Sequence, residues 1–170
     1  IGLIISTSYL FFTLFVQSIA LNKFEKQLKQ NNISFQEIVV KPSPFNIVLW
    51  TANVKVANGY WIGDYSFFDT KPIAFHFIPH QKDLIEDLES KAVIQQLKRM
   101  TEGWYCITKK ENQLFFNDLR FGLMNAEPND LKFSFSYQLN TGKGKLTAIE
   151  LPNKNRKEAK KLLGKLWVRL

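Results

Sequence analysis

The first 21 residues carry no charged side chain, and this run constrains the fold more than any other feature of the chain. About 20 apolar residues at helical rise cross the hydrocarbon core of a bilayer. The serines and threonines of the run can bond backbone carbonyls one turn back, whereas Gln17 is costly in lipid. The run therefore predicts a transmembrane helix, with a juxtamembrane extension that brings the segment to residues 1–30.

Two other interpretations of this run are a cleaved signal peptide and a buried core helix. A signal peptide needs a basic start, which the run does not have. A core helix of this kind would have to be apolar on all faces. Lys23, Lys26 and Lys29 follow the run, and such an excess of lysine favours the cytoplasmic side. Because Ile1 lies partway into hydrophobic sequence, we expect the chain to be the tail of a larger membrane protein.

The remaining residues, 31–170, suit one soluble domain large enough to bury its own core. Large aromatic side chains can fill that core without disulfides, since the sequence has 15 Phe and 4 Trp. Cys106 is the only cysteine, and we expect it to be a small buried residue of the core. A single unpaired cysteine is also consistent with a protein in a reducing compartment.

The pattern between the two ends of the chain is mostly that of β-strands. Asn58-Gly59 is a strong hairpin signal, and a second hairpin is expected across residues 109–112. Residues 83–100 change to helical period, with Asp83 as a possible cap. We therefore predict an α+β fold with a mainly antiparallel sheet and a central helix. The strands are expected at residues 33–40, 47–56, 60–68, 73–78, 104–108, 113–116 and 131–139.

The C-terminal segment, residues 154–170, carries seven basic residues and one acidic residue, and so accounts for most of the chain's net charge of +8. Its leucines and Trp167 fall on one helical face, which predicts an amphipathic basic helix. This helix could lie on anionic lipid or dock its apolar face on the domain core. Nucleic acid is not an expected partner, since no reader motif accompanies the charge. The candidate membrane-surface residues are Lys157, Lys160, Lys161, Lys165, Trp167 and Arg169.

The sequence offers little for catalysis or for metal binding. His76 and His80 are the only histidines, and on an extended strand they would lie about 13 Å apart, too far to share a zinc ion. Ser66, His76 and Asp69 have the residue types of a catalytic Ser-His-Asp triad, but no nucleophile-elbow pattern surrounds the serine. Residues 141–145 lack the spacing of a phosphate-binding loop and predict a turn.

Residues 117–122, with the sequence NDLRFG, form the best candidate for a specific site. Asp118 and Arg120 would share one face if the segment were extended. One interpretation is structural: Asp118 caps a turn while Arg120 pairs with a carboxylate. The other is an anion or partner site that uses the planar guanidinium.

Three motifs stand out along the chain: Pro42-Ser43-Pro44-Phe45-Asn46 leading to Trp50, Gly59-Tyr60-Trp61-Ile62-Gly63 with Tyr65-Ser66, and the NDLRFG segment. Together they resemble the soluble C-terminal part of a group of bacterial inner-membrane proteins described as membrane-bound metal-dependent hydrolases. The resemblance covers residues 1 to about 125. It implies that the histidine and aspartate ligands of a divalent metal lie in an N-terminal membrane region, and that this chain holds no cofactor.

Two functional classes follow from these observations. In the first, the chain is an accessory or regulatory cytoplasmic domain of a membrane hydrolase and contacts that protein's own membrane region. In the second, it is a single-span binding module whose basic tail contacts anionic lipid or an acidic partner. In neither class is the chain itself expected to be catalytic. The residues expected to shape a corner of the fold or a partner contact are Asn46, Trp50, Tyr60, Ser66, Asp118 and Arg120.

Overall fold

The computed structural model describes residues 2–42, 48–127, 130–142 and 145–151. These residues form an α+β fold with an N-terminal helix and two four-stranded antiparallel sheets, so the predicted fold class is confirmed. The predicted C-terminal basic helix lies outside the described residues. In chain order the elements are α1 (Gly2–Gln30), β1 (Glu37–Pro42), β2 (Leu49–Val56), β3 (Gly59–Ser66), β4 (Phe75–Pro79), a 3₁₀ helix (Lys82–Leu88), α2 (Ala92–Met100), β5 (Tyr105–Lys110), β6 (Gln113–Glu127), β7 (Asp130–Gly142) and β8 (Lys145–Glu150).

The strands follow one another in both sheets, in the orders β1-β2-β3-β4 and β5-β6-β7-β8. The chain divides into two compact units. The described part of the first unit is residues 2–42, 48–57 and 61–76, and that of the second is residues 58–60, 77–127, 130–142 and 145–151. The single domain expected over residues 31–170 stays a prediction, because compactness alone does not establish which parts fold independently.

The core of the first unit joins α1 to the first sheet. Val16, Ala20, Phe24 and Leu28 recur every four residues along the helix and are buried. This spacing places them on one face of an α-helix. They pack against strand residues that include Trp50, which is fully buried. The C-terminal half of α1 is therefore part of the folded core.

The Asn58-Gly59 turn joins β2 to β3, as the sequence predicts. Gly59 is buried, and a Cβ at this position would lie 2.4 Å from the carbonyl oxygen of Ile78. A side chain does not fit there unless the backbone shifts, so glycine is required by close approach of the chain.

The core of the second unit lies on one face of the second sheet, beneath the 3₁₀ helix and α2. Ile85, Ile94 and Leu97 from the helical segments meet buried residues of all four strands. The single helix expected over residues 83–100 is wrong, because Lys91 is extended (φ −69°, ψ 134°) and α2 begins after it. Asp83 is not a cap either, since it lies in the first turn of a helix whose N-cap is Gln81.

Strand β8 was not expected from the sequence, and β6 and β7 are longer than predicted. Leu146 and Ala148 of β8 face the core of the second unit, and this alternation was the available signal. In the β6–β7 pair, Asp118 is opposite Phe135 and Leu123 is opposite Phe133, so β6 bulges by three residues between these positions. The NDLRFG segment builds this bulge, with Gly122 at φ 70°.

Candidate functional site

The N-terminal half of α1 exposes large apolar side chains. Leu10, Phe11 and Phe15 are 62%, 69% and 64% exposed, and residues 2–15 contain no buried side chain. By length and composition, α1 is able to cross a membrane. At 1.5 Å per residue, residues 2–15 extend about 21 Å, and residues 2–21 about 30 Å, the thickness of a hydrocarbon core.

Gln17 is the residue of the apolar run that is least favourable in lipid, and it lies where α1 meets the first sheet. Its Nε2 donates a hydrogen bond of 3.1 Å to the carbonyl oxygen of Val40 in β1. The amide is thus supplied with a protein partner at the point where the exposed half of the helix ends. A polar side chain that would destabilise a helix in lipid instead holds the helix to the sheet.

A polar cleft of about 220 Å³ lies in the first unit, beside the C-terminal half of α1. Helix α1 contributes Lys23, Lys26 and Gln30 to it, and the loop between β3 and β4 contributes Thr70 and Lys71. Within the described part of the chain, none of the three lysines forms an ion pair. This positively charged group, which we call the lysine cleft, follows directly after the apolar run.

Ser66 organises the loop that lines the lysine cleft. Its backbone N–H donates to Asp69 Oδ2 at 2.9 Å, and its Oγ accepts from the N–H of Phe68 at 3.3 Å. The N–H of Asp69 returns to the Ser66 carbonyl at 2.9 Å. Burial, with a smaller contribution from Asp69, raises the pKa of the Tyr65 phenol at the wall of the cleft. These contacts give buried Ser66 a structural role in a turn.

Trp50 belongs to the core of the first unit, opposite Pro42 in the β1–β2 register. It is fully buried, and its neighbours in the cluster are apolar. Packing is therefore sufficient to account for it. Asn46, which the sequence pairs with Trp50 in one motif, lies outside the described residues.

Tyr60 and Arg120 both contact the turn that follows α2, within the second unit. The Tyr60 hydroxyl donates to the Gly103 carbonyl at 2.8 Å, and its ring lies 5.6 Å from that of Trp104. Arg120 Nη1 is 3.5 Å from Glu102 Oε1. Glu102 has a φ value of 53°, a left-handed conformation that is unfavourable for a residue other than glycine, and Gly103 follows at 79°, which glycine adopts without strain. Two of the predicted site residues thus brace one strained turn.

Asp118 is the second carboxylate that pairs with the Arg120 guanidinium, in addition to Glu102. Its carboxylate is almost fully buried and accepts from Arg120 Nη2 at 2.8 Å, from Nε at 3.2 Å and from the Arg120 backbone N–H at 2.9 Å. The hydrogen bond to this carboxylate raises the pKa of the guanidinium. The carboxylate thereby fixes the β6 bulge, which matches the structural interpretation of the motif.

Asn117 lies at the floor of a second cavity, of about 230 Å³, on the face of the second sheet opposite its core. Its Nδ2 donates to Thr108 Oγ1 at 2.9 Å, and its Oδ1 accepts from the Ser136 hydroxyl. Cys106 is buried beside it, and burial raises the pKa of that thiol to about 12. The thiol is therefore unsuited to act as a nucleophile. The cavity combines a satisfied polar floor with half-buried apolar walls.

The described residues contain no group of three or more His, Cys, Asp or Glu side chains that could hold a metal ion. Asp69 Oδ2 accepts the backbone N–H of Ser66, so this carboxylate supports the Ser66 turn. The six candidate membrane-surface residues of the basic tail lie outside the described residues, so their role stays a prediction.

Sequence reasoning missed the lysine cleft as a unit. Lys23 and Lys26 stood out because they follow the apolar run, but Lys71 is distant in sequence and joins them only through the fold. Comparison of the chain with known protein families, with curated proteins and with solved structures found no match. The resemblance to membrane-bound metal-dependent hydrolases therefore stays a prediction.

Proposed function

We propose that the chain is a membrane-anchored accessory domain, held by α1 at the cytoplasmic face of the inner membrane. One observation carries this proposal: a single continuous helix exposes large apolar side chains over its first half and buries one stripe of its second half in the sheet core. Water is a poor solvent for the first half, since an exposed apolar area of this kind marks a membrane or protein contact.

Two further observations support the arrangement. The polar side chain of Gln17 is bonded at the boundary between the two halves, and Lys23, Lys26 and Lys29 follow it. An excess of lysine next to a membrane helix favours the cytoplasmic side. The accessory role is supported by the three motifs that resemble membrane-bound metal-dependent hydrolases, and the catalytic metal is expected in the partner region rather than in this chain.

Anchoring is tested by flotation of the full chain with phosphatidylcholine vesicles after alkaline carbonate extraction. We expect the wild type to float, and Phe11→Asp to reduce the membrane-bound fraction sharply, because an acidic side chain in the apolar core of a helix costs about 3 kcal/mol. Phe68→Asp is the matched control, since Phe68 is 61% exposed and lies on a loop. Release of the wild type by carbonate, or equal flotation of Phe11→Asp and wild type, would contradict anchoring.

The accessory role is tested by the intact mass of the native protein in membranes of its source cell. A mass well above 19.8 kDa, with further apolar segments, supports an accessory domain within a larger membrane enzyme. A mass near 19.8 kDa with no co-purifying membrane enzyme contradicts it.

A further inference from the structure

We propose that the lysine cleft binds the phosphate of an anionic phospholipid headgroup in the membrane surface beside α1. The inference rests on the proposed anchoring by α1 and adds a specific lipid site to it. The site differs from the basic tail, because it is built from α1 and the β3–β4 loop.

The depth of the cleft matches the headgroup region. The edge of the hydrocarbon lies between Gln17, whose amide is bonded to the sheet, and Leu21, the last residue of the uncharged run. Lys23 is two to six residues farther along the helix, which is about 3 to 9 Å at 1.5 Å per residue. The polar region of each leaflet is about 5 to 8 Å thick. Lys23 therefore lies at phosphate level, and Lys26 is about one helical turn farther from the hydrocarbon.

The charge of the cleft favours an anion. Lys23, Lys26 and Lys71 contribute three positive charges, against one carboxylate, Asp69, which accepts the Ser66 N–H through Oδ2. Among the described residues the three lysines have no carboxylate partner. Lysine binds phosphate as a mobile point charge, and the neutral donors Gln30 and Thr70 line the same space.

The arrangement also favours a membrane lipid over a soluble phosphate. Two of the lysines are on the helix that enters the bilayer, so the cleft lies next to the membrane at a fixed distance. A headgroup phosphate is present there at high local concentration, and juxtamembrane lysines are attracted to anionic leaflets. The third lysine comes from a loop held by the Ser66 turn, so the fold presents it toward the same space.

The test uses the delipidated full chain in detergent, titrated with phosphatidylglycerol and followed by native mass spectrometry. Each of Lys26→Gln and Lys71→Gln is expected to weaken lipid binding about fivefold, and the double variant about 25-fold. Lys29→Gln is the matched control: it removes the same charge from an equally exposed position on the same helix, but Lys29 does not line the cleft. We expect its affinity to stay within twofold of the wild type. The tail is unchanged in all variants.

Two outcomes would overturn the proposal. The first is wild-type affinity in the Lys26→Gln/Lys71→Gln double variant, or an equal loss in Lys29→Gln, which would show general charge attraction. The second is displacement of the lipid by millimolar inorganic phosphate, which would identify a soluble phosphate site. Flotation with neutral phosphatidylcholine vesicles separates these results from anchoring, because a chain that fails to float there has lost the anchor whatever its headgroup preference.

Discussion

Truncation of Phe24 tests whether α1 is a structural part of the first unit or only a tether. Phe24 is fully buried and makes edge-to-face contacts with Tyr65 and Phe75, with ring centroids 6.0 and 6.2 Å apart. If the second half of α1 belongs to the core, Phe24→Ala should destabilise the first unit as strongly as a core mutation in any soluble domain.

The expected loss follows from the environment of the ring. Replacing a buried Phe by Ala costs about 3–5 kcal/mol, which includes the lost transfer free energy and the cavity left behind. The two aromatic contacts, worth about 0.5–1.5 kcal/mol each, are lost together with the ring and are already part of this cost, so we take the middle of the range. We expect the free energy of unfolding to fall by about 4 kcal/mol. With a urea dependence of about 2 kcal/mol per molar, the midpoint should fall by about 2 M.

The assay is urea unfolding of the full chain in detergent micelles, followed by tryptophan fluorescence. Trp50 lies in the same cluster as Phe24, and Trp61 packs against it, so both report on this unit. Phe15→Ala is the control, since Phe15 is on the same helix but 64% exposed. Its ring contacts detergent whether or not the sheet is folded, so its effect should stay below about 0.5 kcal/mol.

A Phe24→Ala midpoint that falls no further than that of Phe15→Ala would refute the reasoning. The helix would then be attached to the sheet without contributing to its core, and Gln17 would not mark a change from an exposed half of α1 to a half that stabilises the fold.

Three further predictions concern the second unit. Asp118→Asn should cost about 2–3 kcal/mol, because it breaks a largely buried ion pair, whereas Glu102→Gln, at a side chain 75% exposed, should cost less than about 0.5 kcal/mol. Both losses are measured by urea unfolding followed through Trp104, a buried tryptophan of this unit. Cys106 should resist thiol reagents at pH 8 until urea is added, because its pKa is raised to about 12; rapid labelling of the native chain would contradict this. Because burial raises that pKa from 9.0, the unfolded chain loses the thiol proton at a lower pH than the folded chain does. The free energy of unfolding should therefore be constant below pH 9 with respect to this group and fall as the pH rises from 9 toward 12, which pH-dependent unfolding can measure. Gly59→Ala should cost about 2–3 kcal/mol, because its Cβ would lie 2.4 Å from the Ile78 carbonyl oxygen; unfolding at the wild-type urea concentration would show that the backbone adapts freely.

Local patterns predicted much of the secondary structure. The Asn58-Gly59 turn, the long apolar helix and the antiparallel pairing all follow from interactions between residues close in sequence. The helix expected over residues 83–100 was wrong because its apolar spacing is shared by two shorter segments, and the break at Lys91 depends on how each segment meets the sheet. Strand β8 was missed because its alternating pattern is short and comes directly after two glycines in the sequence, Gly142 and Gly144.

The candidate sites depended more heavily on the fold. The sequence marked Asp118 and Arg120 as a motif, but only the structure shows that they bond to each other and, through Glu102, support the turn after α2. Ser66 proved to be a turn residue whose bonds position a loop. These roles are set by partners that strand pairing and bulges bring together, and single-residue patterns do not encode them.

The sequence by itself determined that residues 1–21 form a run apolar enough for a membrane helix, that lysines come directly after this run, and that the pattern beyond it is mostly that of β-strands. Hydrophobic periodicity and charge are local properties, so they can be read along the chain. Only the tertiary structure decided where that helix stops facing outward, and that Lys71 joins Lys23 and Lys26 in one cleft. Those features arise from contacts between residues far apart in sequence, whose proximity is fixed by the packing of the whole core.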